Sequence, residues 1–494
     1  MAVAAETHKS DTLLYVSNLK KYFDVSNGLR TVGYVKALDG VTFSLRRGET
    51  LGVVGETGCG KTTLGRTILR LIKATDGYVY FDLPEDVMKK VISLEEECNL
   101  LEMKEERTEE EQKRLDSLLV ELKKERKEYS LTKMSDRKLR AARSKMQPIF
   151  QDPFSSLDPR KLIKDSIAEP MKLLTHMKRG EIFDKTKDLI ESIGLSEDHL
   201  YRFPHEFSGG QRQRIGVARA IGIDPLLLIL DEPTSALDVS VQAQILNILK
   251  EVQSGMGLSY IFISHHLSVI RIMSDNVAVM YLGQIIELAN TSDLFSEMLH
   301  PYTAALLSAI PIPDPRSKRE RVVLEGEIPS PVNPPEGCYF HPRCPVAMVN
   351  CGWSPRDMTK PIQHMLDRTR NKEAESLPPV REIVLDEENR EVEILFEREL
   401  AVSSLDTLRT LVNREGSRIG GVRFKAVKSI GLGEGGSSIK LIMAKPDKPH
   451  LREISPGHFV SCLIYEKPDV IKKGTYAEES ARVRKSITQA GTGS

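Results

Sequence analysis

The residues best placed to do chemistry open at Leu51, in LGVVGETGCGKTT. A short apolar run, Leu51 to Val54, ends in Gly55, and Gly60, Lys61 and Thr62 follow at the spacing G-x-x-x-x-G-K-[ST]. Glycines at these points let the backbone of Gly55, Glu56, Thr57, Gly58, Cys59 and Gly60 wrap closely, so that successive N–H groups point into one concavity. That concavity and the start of the helix expected from Lys61, Thr62 and Thr63 onward favour an anion. Lys61 supplies a point charge for β- and γ-phosphates, and the Thr62 hydroxyl can hold Mg²⁺.

A second group carries acid, base and metal chemistry. Leu226 to Glu232, LLLILDE, is apolar without alternation and ends in two carboxylates. Such a run suits a central parallel strand covered on both faces, whose C-terminal end lies beside the phosphate loop. Asp231 can hold Mg²⁺ through water, and Glu232 can accept the proton of an attacking water. Tyr260 to Ile263 is another buried strand, and His265 after it can reach a γ-phosphate oxygen or serve as a structural hydrogen-bonder. Gln151, ahead of a loop with two prolines, can bind Mg²⁺ or orient water while the loop moves. Ser208, Gly209, Gly210 and Gln211 open a helix bearing Arg212, Arg214 and Arg219, a second anion-binding helix start. Ser235 to Asp238 forms a tight turn. Tyr22 or Phe23 can stack on a base or simply pack.

These groups need strands and helices to place them. Leu13 to Val16, Val41 to Leu45 and Gly77 to Phe81 read as strands, and residues 161–200 as helical. Residues 84–146 are rich in Glu, Lys, Arg and Leu. Leu94, Cys98 and Leu101 form one apolar stripe, and Leu115, Leu118, Leu119 and Leu122 a second. Thr108 with Glu111 fits a capping box. The expectation is an antiparallel helical hairpin, either a docking arm or a solvated insertion.

The chain has 494 residues, about three domains by length, with an ordinary 40% hydrophobic and 28% charged content. Its 70 basic and 70 acidic residues cancel, so no global field argues for nucleic acid. No run approaches the ~18 apolar residues of a membrane span, and MAVAAETHKSD lacks a signal-peptide core. Six cysteines are too few for a disulfide scaffold.

Taken in order, these motifs resemble the ATP-binding-cassette (ABC) ATPases. GETGCGKTT looks like their Walker A, Gln151 their Q-loop glutamine, FSGGQ their signature, LLLILDE their Walker B, SALD their D-loop with Asp238, and His265 their switch histidine. IFQDPFSSLDPR, HPYTAALLSAIP, GCYFHPRCP and PGHFVSC further resemble the dipeptide/oligopeptide importer ATPases, of the second-ATPase type. His266 stands where that family usually has aspartate. The resemblance implies an α/β P-loop ABC nucleotide-binding domain over residues 1–310, with a helical subdomain over 151–225. It implies an ATPase whose ATP lies between two subunits. Lys61, Thr62, Gln151, Asp231, Glu232 and His265 of one subunit would face Ser208, Gly209 and Gly210 of the other. Phe23 would stack on the base, with Tyr22 as the alternative, and Thr62, Gln151 and Asp231 would hold Mg²⁺. The implied partners are a second, non-identical ATPase, two transmembrane permease subunits and an extracytoplasmic solute-binding protein, with no nucleic acid. The implied location is peripheral, on the cytoplasmic side of the membrane. The solute would be a peptide, or a sugar or nickel in an importer of the same type. A non-transport cassette acting on nucleic acid or ribosomes is the reading from another class.

The C-terminal part departs from a single cassette. Prolines crowd from Pro311, and Cys338, Cys344 and Cys351 follow as C-x5-C-x6-C. The fourth cysteine expected from the resemblance, in GHFVSC, is Cys462, far downstream. An insertion over residues 357–450, of β-β-α-β-β pattern with VRFKAVKSI as its third strand, would split an extension made of 311–356 and 451–475, with 476–494 as a polar tail. Four thiolates could hold a [4Fe–4S] cluster. Zinc, with His341 or His458 replacing a thiolate, is the rival, and plain packed thiols the third reading.

Overall fold

The computed structural model describes residues 11–28, 30–102, 104, 106–152, 157–235, 237–308, 324, 326–369, 377–417 and 421–466. The N-terminal tail, four residues of the loop after Gln151, most of the proline-rich segment and the C-terminal tail lie outside these. The chain forms two compact units, residues 1–295 and 296–494, so that residues 296–310 group with the C-terminal unit.

The first unit runs β1 (Thr12–Ser26), β2 (Thr31–Arg46), β3 (Thr50–Val54), α1 (Lys61–Ile68), β4 (Asp76–Phe81), α2 (Glu85–Glu102), α3 (Glu109–Tyr129), α4 (Asp136–Arg143) and β5 (Met146–Ile149). Then come α5 (Ile163–Leu174), α6 (Arg179–Ser192), α7 (Gly209–Ile221), β6 (Leu227–Asp231), α8 (Val239–Met256), β7 (Ser259–Ile263), α9 (Leu267–Met273), β8 (Asn276–Tyr281), β9 (Gln284–Asn290) and α10 (Thr291–Ser296). Six of the strands form one sheet in the order β9-β8-β3-β7-β6-β5, parallel except for β8 with β9. All residues of β3, β6 and β7 are buried, which is why these strands show no alternation. Because they are parallel neighbours, the segments that follow β3, β6 and β7 emerge at one edge of the sheet.

The second sheet is antiparallel, ordered β2-β1-β4. Here the segment KKYFDVS, which the sequence pattern leaves between strands, continues β1. Tyr22 pairs with Lys36 and Phe23 with Val35 across the ladder. Non-local pairing overrides a stretch with no period of its own.

Helices α2 and α3 form the expected hairpin. Met88 and Val91 pack on Tyr15, Tyr80 and Leu83 at its base. Cys98, Leu115 and Leu122, flanked by Leu94, Leu101 and Leu119, close its middle. Thr108 and Glu111 make the capping box at 3.0 and 3.2 Å. Glu95 is 1% exposed and is held by Arg126 at 3.0 and 2.8 Å, with the Tyr80 hydroxyl donating at 2.7 Å.

The second unit contains α11 (Pro301–Ser308), α12 (Pro355–Thr369), β10 (Val380–Asp386), β11 (Glu391–Phe396), α13 (Val402–Gly416), α14 (Val422–Lys425), β12 (Val427–Leu432), β13 (Ser438–Met443) and the hairpin β14 (Arg452–Ser455) with β15 (His458–Val460). Strands β10–β13 make an antiparallel sheet ordered β10-β11-β13-β12. One face buries Val392, Ile394, Phe396, Ile439, Leu441 and Met443 against the helices. Two features differ from the pattern reading. Helix α12 precedes the first strand, and VRFK is a helical turn rather than the start of a strand, because Phe424 turns into the same core. The single tryptophan, Trp353, joins this core, and its Nε1 donates to the Met348 carbonyl at 2.9 Å. Arg390 ties the β10–β11 turn to Trp353 O at 2.6 Å and to the Glu336 carboxylate. The chain leaves and re-enters beside Asn350, whose carbonyl accepts the Asp447 N–H at 2.9 Å.

Candidate functional site

The phosphate loop joins the end of β3 to α1. Gly60 takes φ +108° at the N-cap of α1, and a side chain there would press on the Ala37 carbonyl of β2. The loop folds over its own lysine. Lys61 is 6% exposed, and its Nζ donates to the carbonyls of Gly55 at 2.8 Å and Glu56 at 3.0 Å. These neutral acceptors keep the buried ammonium satisfied and aimed into the loop. Cys59 is buried beside it, its Sγ 3.8 Å from Nζ; burial raises its thiol above the ordinary range.

Strand β6 delivers both carboxylates to this edge. Thr62 Oγ1 donates to Asp231 Oδ1 at 2.9 Å, bringing both proposed metal-holding groups together. Burial raises the Asp231 carboxyl above its ordinary value, against the lowering from the Thr62 bond and the Arg66 charge. A desolvated carboxylate beside a hydroxyl suits a hard cation with oxygen ligands.

Glu232 is the hub of the next contacts. It sits at φ +49°, an uncommon backbone position for a non-glycine residue, and its N–H donates to Ile263 O at 2.9 Å. One carboxylate oxygen, Oε2, accepts from Gln151 Nε2 at 3.0 Å, and the other, Oε1, lies 3.0 Å from His265 Nδ1. The residues that follow β5, β6 and β7 therefore meet at one point. His265, not His266, faces Glu232.

Ser208 caps α7 through a reciprocal pair, accepting from Gln211 N at 3.3 Å while Gln211 Oε1 accepts Ser208 N–H at 3.0 Å. Gly210 lies against Val241 of α8 with no room for a side chain. Among the described residues no hydrogen bond joins this turn to the Lys61–Glu232 cluster. Asp238 stands at the N-cap of α8. Of the two aromatics, Tyr22 is committed, donating to Asp39 Oδ1 at 2.5 Å, whereas Phe23 is 37% exposed with Lys21 Nζ 4.6 Å above its ring. Sequence reasoning missed the part played by Ala37. A backbone carbonyl pressed against Gly60 has no sequence signature.

Cys338, Cys344, Cys351 and Cys462 share one neighbourhood of the second unit. Cys338 N–H donates to Cys351 O at 2.8 Å, and Met348 N–H reaches Cys351 Sγ at 3.2 Å. Burial, then the charge of Cys351, pushes the Cys338 thiol up to about 12. Burial, then Cys462, Cys338 and Cys351, raises Cys344 well above the ordinary range. Among the described residues no group of three or more His, Cys, Asp or Glu is arranged to hold a metal ion, an observation that supports neither zinc nor an iron–sulfur cluster. His341 does not stand in for a thiolate: its Nδ1 lies 2.8 Å from the Cys338 carbonyl and its Nε2 3.7 Å from Asp357.

Comparison with known proteins gives the family. The ABC transporter family model matches residues 38–139 and 118–235, and the model for the oligopeptide/dipeptide transporter C-terminal region matches residues 286–351. The oligopeptide transport ATP-binding protein AppF of Bacillus subtilis is 46% identical over 346 residues, covering 69% of this chain and 92% of that protein. OppF of Escherichia coli is 44% identical over 354 residues, covering 70% and 92%. The chain belongs to the ATP-binding proteins of the oligopeptide ABC transporter family. As a member of it, the chain is an ATPase. The C-terminal family match stops at Cys351, just before α12, and the match to AppF leaves about three-tenths of the chain uncovered.

Proposed function

We propose that this chain is the second ATPase of a di-/oligopeptide importer, peripheral on the cytoplasmic face of the membrane. Its partners would be a non-identical ATPase, two permease subunits and an extracytoplasmic solute-binding protein. The observation that carries this reading is the convergence of Gln151, Glu232 and His265 beside Thr62 and Asp231. Lys61 and the loop N–H groups bind the β- and γ-phosphates. Thr62, Asp231 and Gln151 would hold Mg²⁺, which when bound would supply charge neutralisation at the phosphates. Gln151 and His265 orient the Glu232 carboxylate, which accepts the proton of the attacking water. Ser208, Gly209 and Gly210 of this chain would close over the γ-phosphate held by the partner ATPase, and the partner's signature turn over the one held here, so ATP joins the two subunits and hydrolysis parts them. Phe23, the freer ring, stacks on the base.

Coupling to the permease would run through the loop after Gln151. Beside its approach strand β5 lies a groove of about 440 Å³ whose apolar lining includes Leu69, Leu71, Met146, Pro148 and Leu174. Among the described residues no helix is long and apolar enough to cross a membrane. Glu232→Gln should retain ATP binding and trap the paired ATPases while abolishing turnover. Hydrolysis near the wild-type rate in that variant would remove Glu232 as the base. Recovery with two permease subunits and a second ATPase supports the importer, whereas recovery with RNA moves the reading to a non-transport cassette.

For the four cysteines we propose a [4Fe–4S] cluster. Supporting it is the closeness of the four cysteines, of which Cys351 and Cys462 are buried, with desolvation and then the neighbouring thiols raising Cys338 and Cys344. Anaerobic purification followed by iron and sulfide analysis tests it; absence of both leaves packed thiols.

A further inference from the structure

Helix α12 of the inserted module turns two stripes in two directions. Met358, Ile362 and Met365 are buried in the module core. The neighbouring stripe, Thr359, Gln363 and Leu366, lines a groove of about 390 Å³ whose other wall is β10, at Val380, Arg381 and Ile383. Leu366, Val380 and Ile383 are half-buried against the core and give the groove an apolar floor. Strand β10 ends its sheet: β11 pairs with one side, and among the described residues no strand pairs with the other. Such an edge presents a row of backbone N–H and C=O groups that can take up one more strand. The ladder slips at one point. Val380 pairs with Phe396 and Glu382 with Leu395, so Arg381 has no residue opposite it. Arg381 is exposed, and among the described residues its guanidinium makes no ion pair or hydrogen bond. We propose that this groove binds a short peptide in extended form, laid beside β10 as a fifth strand with its terminal carboxylate on Arg381. The site adds to the importer reading and does not rest on it.

Pairing with a strand edge selects a peptide, because a peptide repeats N–H and C=O groups at the strand spacing. Val380 to Ile383 spans about 10 Å at ~3.3 Å per residue, room for about three peptide residues. Successive peptide side chains would point to opposite sides, so one of them rests on the floor of Leu366 and Ile383 and its neighbours face solvent. The main-chain bonds hold any sequence, and the floor favours an apolar side chain at that one position. The planar fork of Arg381 matches a carboxylate with two parallel bonds. Asp367 and Glu382, exposed at the same groove, oppose further acidic side chains. The fitting ligand is therefore a peptide with a free C-terminus and neutral or basic side chains.

Calorimetric titration of the full chain, purified without permease or solute-binding subunits, tests this with the tripeptide alanyl-leucyl-lysine and its C-terminal amide. The free acid should bind saturably, and the amide about tenfold more weakly. Arg381→Ala should weaken the acid by about tenfold and leave the amide unchanged; the side chain is exposed, so the core is untouched. Hydrogen exchange read by mass spectrometry should slow in β10 when the peptide is added, with β12 at the far edge of the sheet unchanged. No saturable binding up to about 10 mM peptide overturns the proposal, as does equal binding of acid and amide or protection that leaves out β10. With no transport subunit present, the result is independent of the cargo. Peptide binding here would stand even if the importer carried a sugar or nickel, and a peptide importer whose ATPase binds no peptide would lose only this groove.

Discussion

At the scale of single residues, the proposed ATP site depends on backbone geometry as much as on its charged groups. Gly60 and Gly58 both take positive φ, at +108° and +85°, yet they face different surroundings. A methyl at Gly60 meets the Ala37 carbonyl, whereas one at Gly58 meets open space. Gly60→Ala adds the clash with the Ala37 carbonyl to the backbone strain and should weaken nucleotide binding by about a hundredfold or more, while Gly58→Ala should show only the strain of about 1–2 kcal/mol, a loss of about fivefold to thirtyfold. Titration with a fluorescent ATP analogue distinguishes them, and equal losses would mean that the Ala37 contact does not matter. Glu232 is the converse case, a non-glycine residue in the left-handed region, held there while its two oxygens meet Gln151 and His265. The residue types of this site were legible from the motif spacing. Which histidine of the pair faces Glu232 was decided by how the turn after β7 is held.

At the scale of elements, the helical hairpin is anchored through a polar centre rather than by its apolar stripes alone. Glu95 accepts from Arg126, Tyr80 and Ser17, and the Arg126 guanidinium lies 4.1 Å from the Tyr78 ring centroid. Removing one partner leaves a buried charge without its counter-charge, which costs about 3–5 kcal/mol. Arg126→Ala should therefore loosen the base of the hairpin, read as faster hydrogen exchange in α2 and α3 with β3, β6 and β7 unchanged. Glu95→Gln, which keeps the shape and removes the charge, should cost less with Arg126→Ala already in place than alone. If the two losses simply add, Glu95 and Arg126 do not act as a pair. The stripes of Leu94, Cys98, Leu101, Leu115 and Leu122 foretold two antiparallel helices because their period is local. The Glu95 anchor was not legible, since its partners Ser17 and Tyr80 belong to strands distant in sequence.

At the scale of the whole molecule, the two units should respond differently to acid. His300 in the second unit is fully buried beside Phe340, and its Nδ1 accepts the Tyr302 N–H at 3.0 Å. Burial lowers its pKa to about 3. Between about pH 6.5 and 3 the unfolded chain takes up a proton there that the folded chain does not. Stability is therefore intact above about 6.5 and falls by about 1.4 kcal/mol per pH unit below it. Melting of the second unit should show this slope between about pH 6.5 and 5, and His300→Asn, which keeps an acceptor but cannot titrate, should flatten it. An unchanged slope would assign the acid sensitivity elsewhere.

The sequence by itself determined the cassette. The glycine spacing, the uninterrupted strands and the two terminal carboxylates are local patterns that leave few folds open, and the family follows from their order. It also foretold most of the four-stranded module, because alternation and turn residues are local too. Tertiary structure alone decided the length of β1, the helical turn at Val422–Lys425, the choice of Phe23 as the freer aromatic, and the return of the chain from the module to Asn350. Each of these depends on partners far along the chain, whose pairing and burial no local pattern encodes.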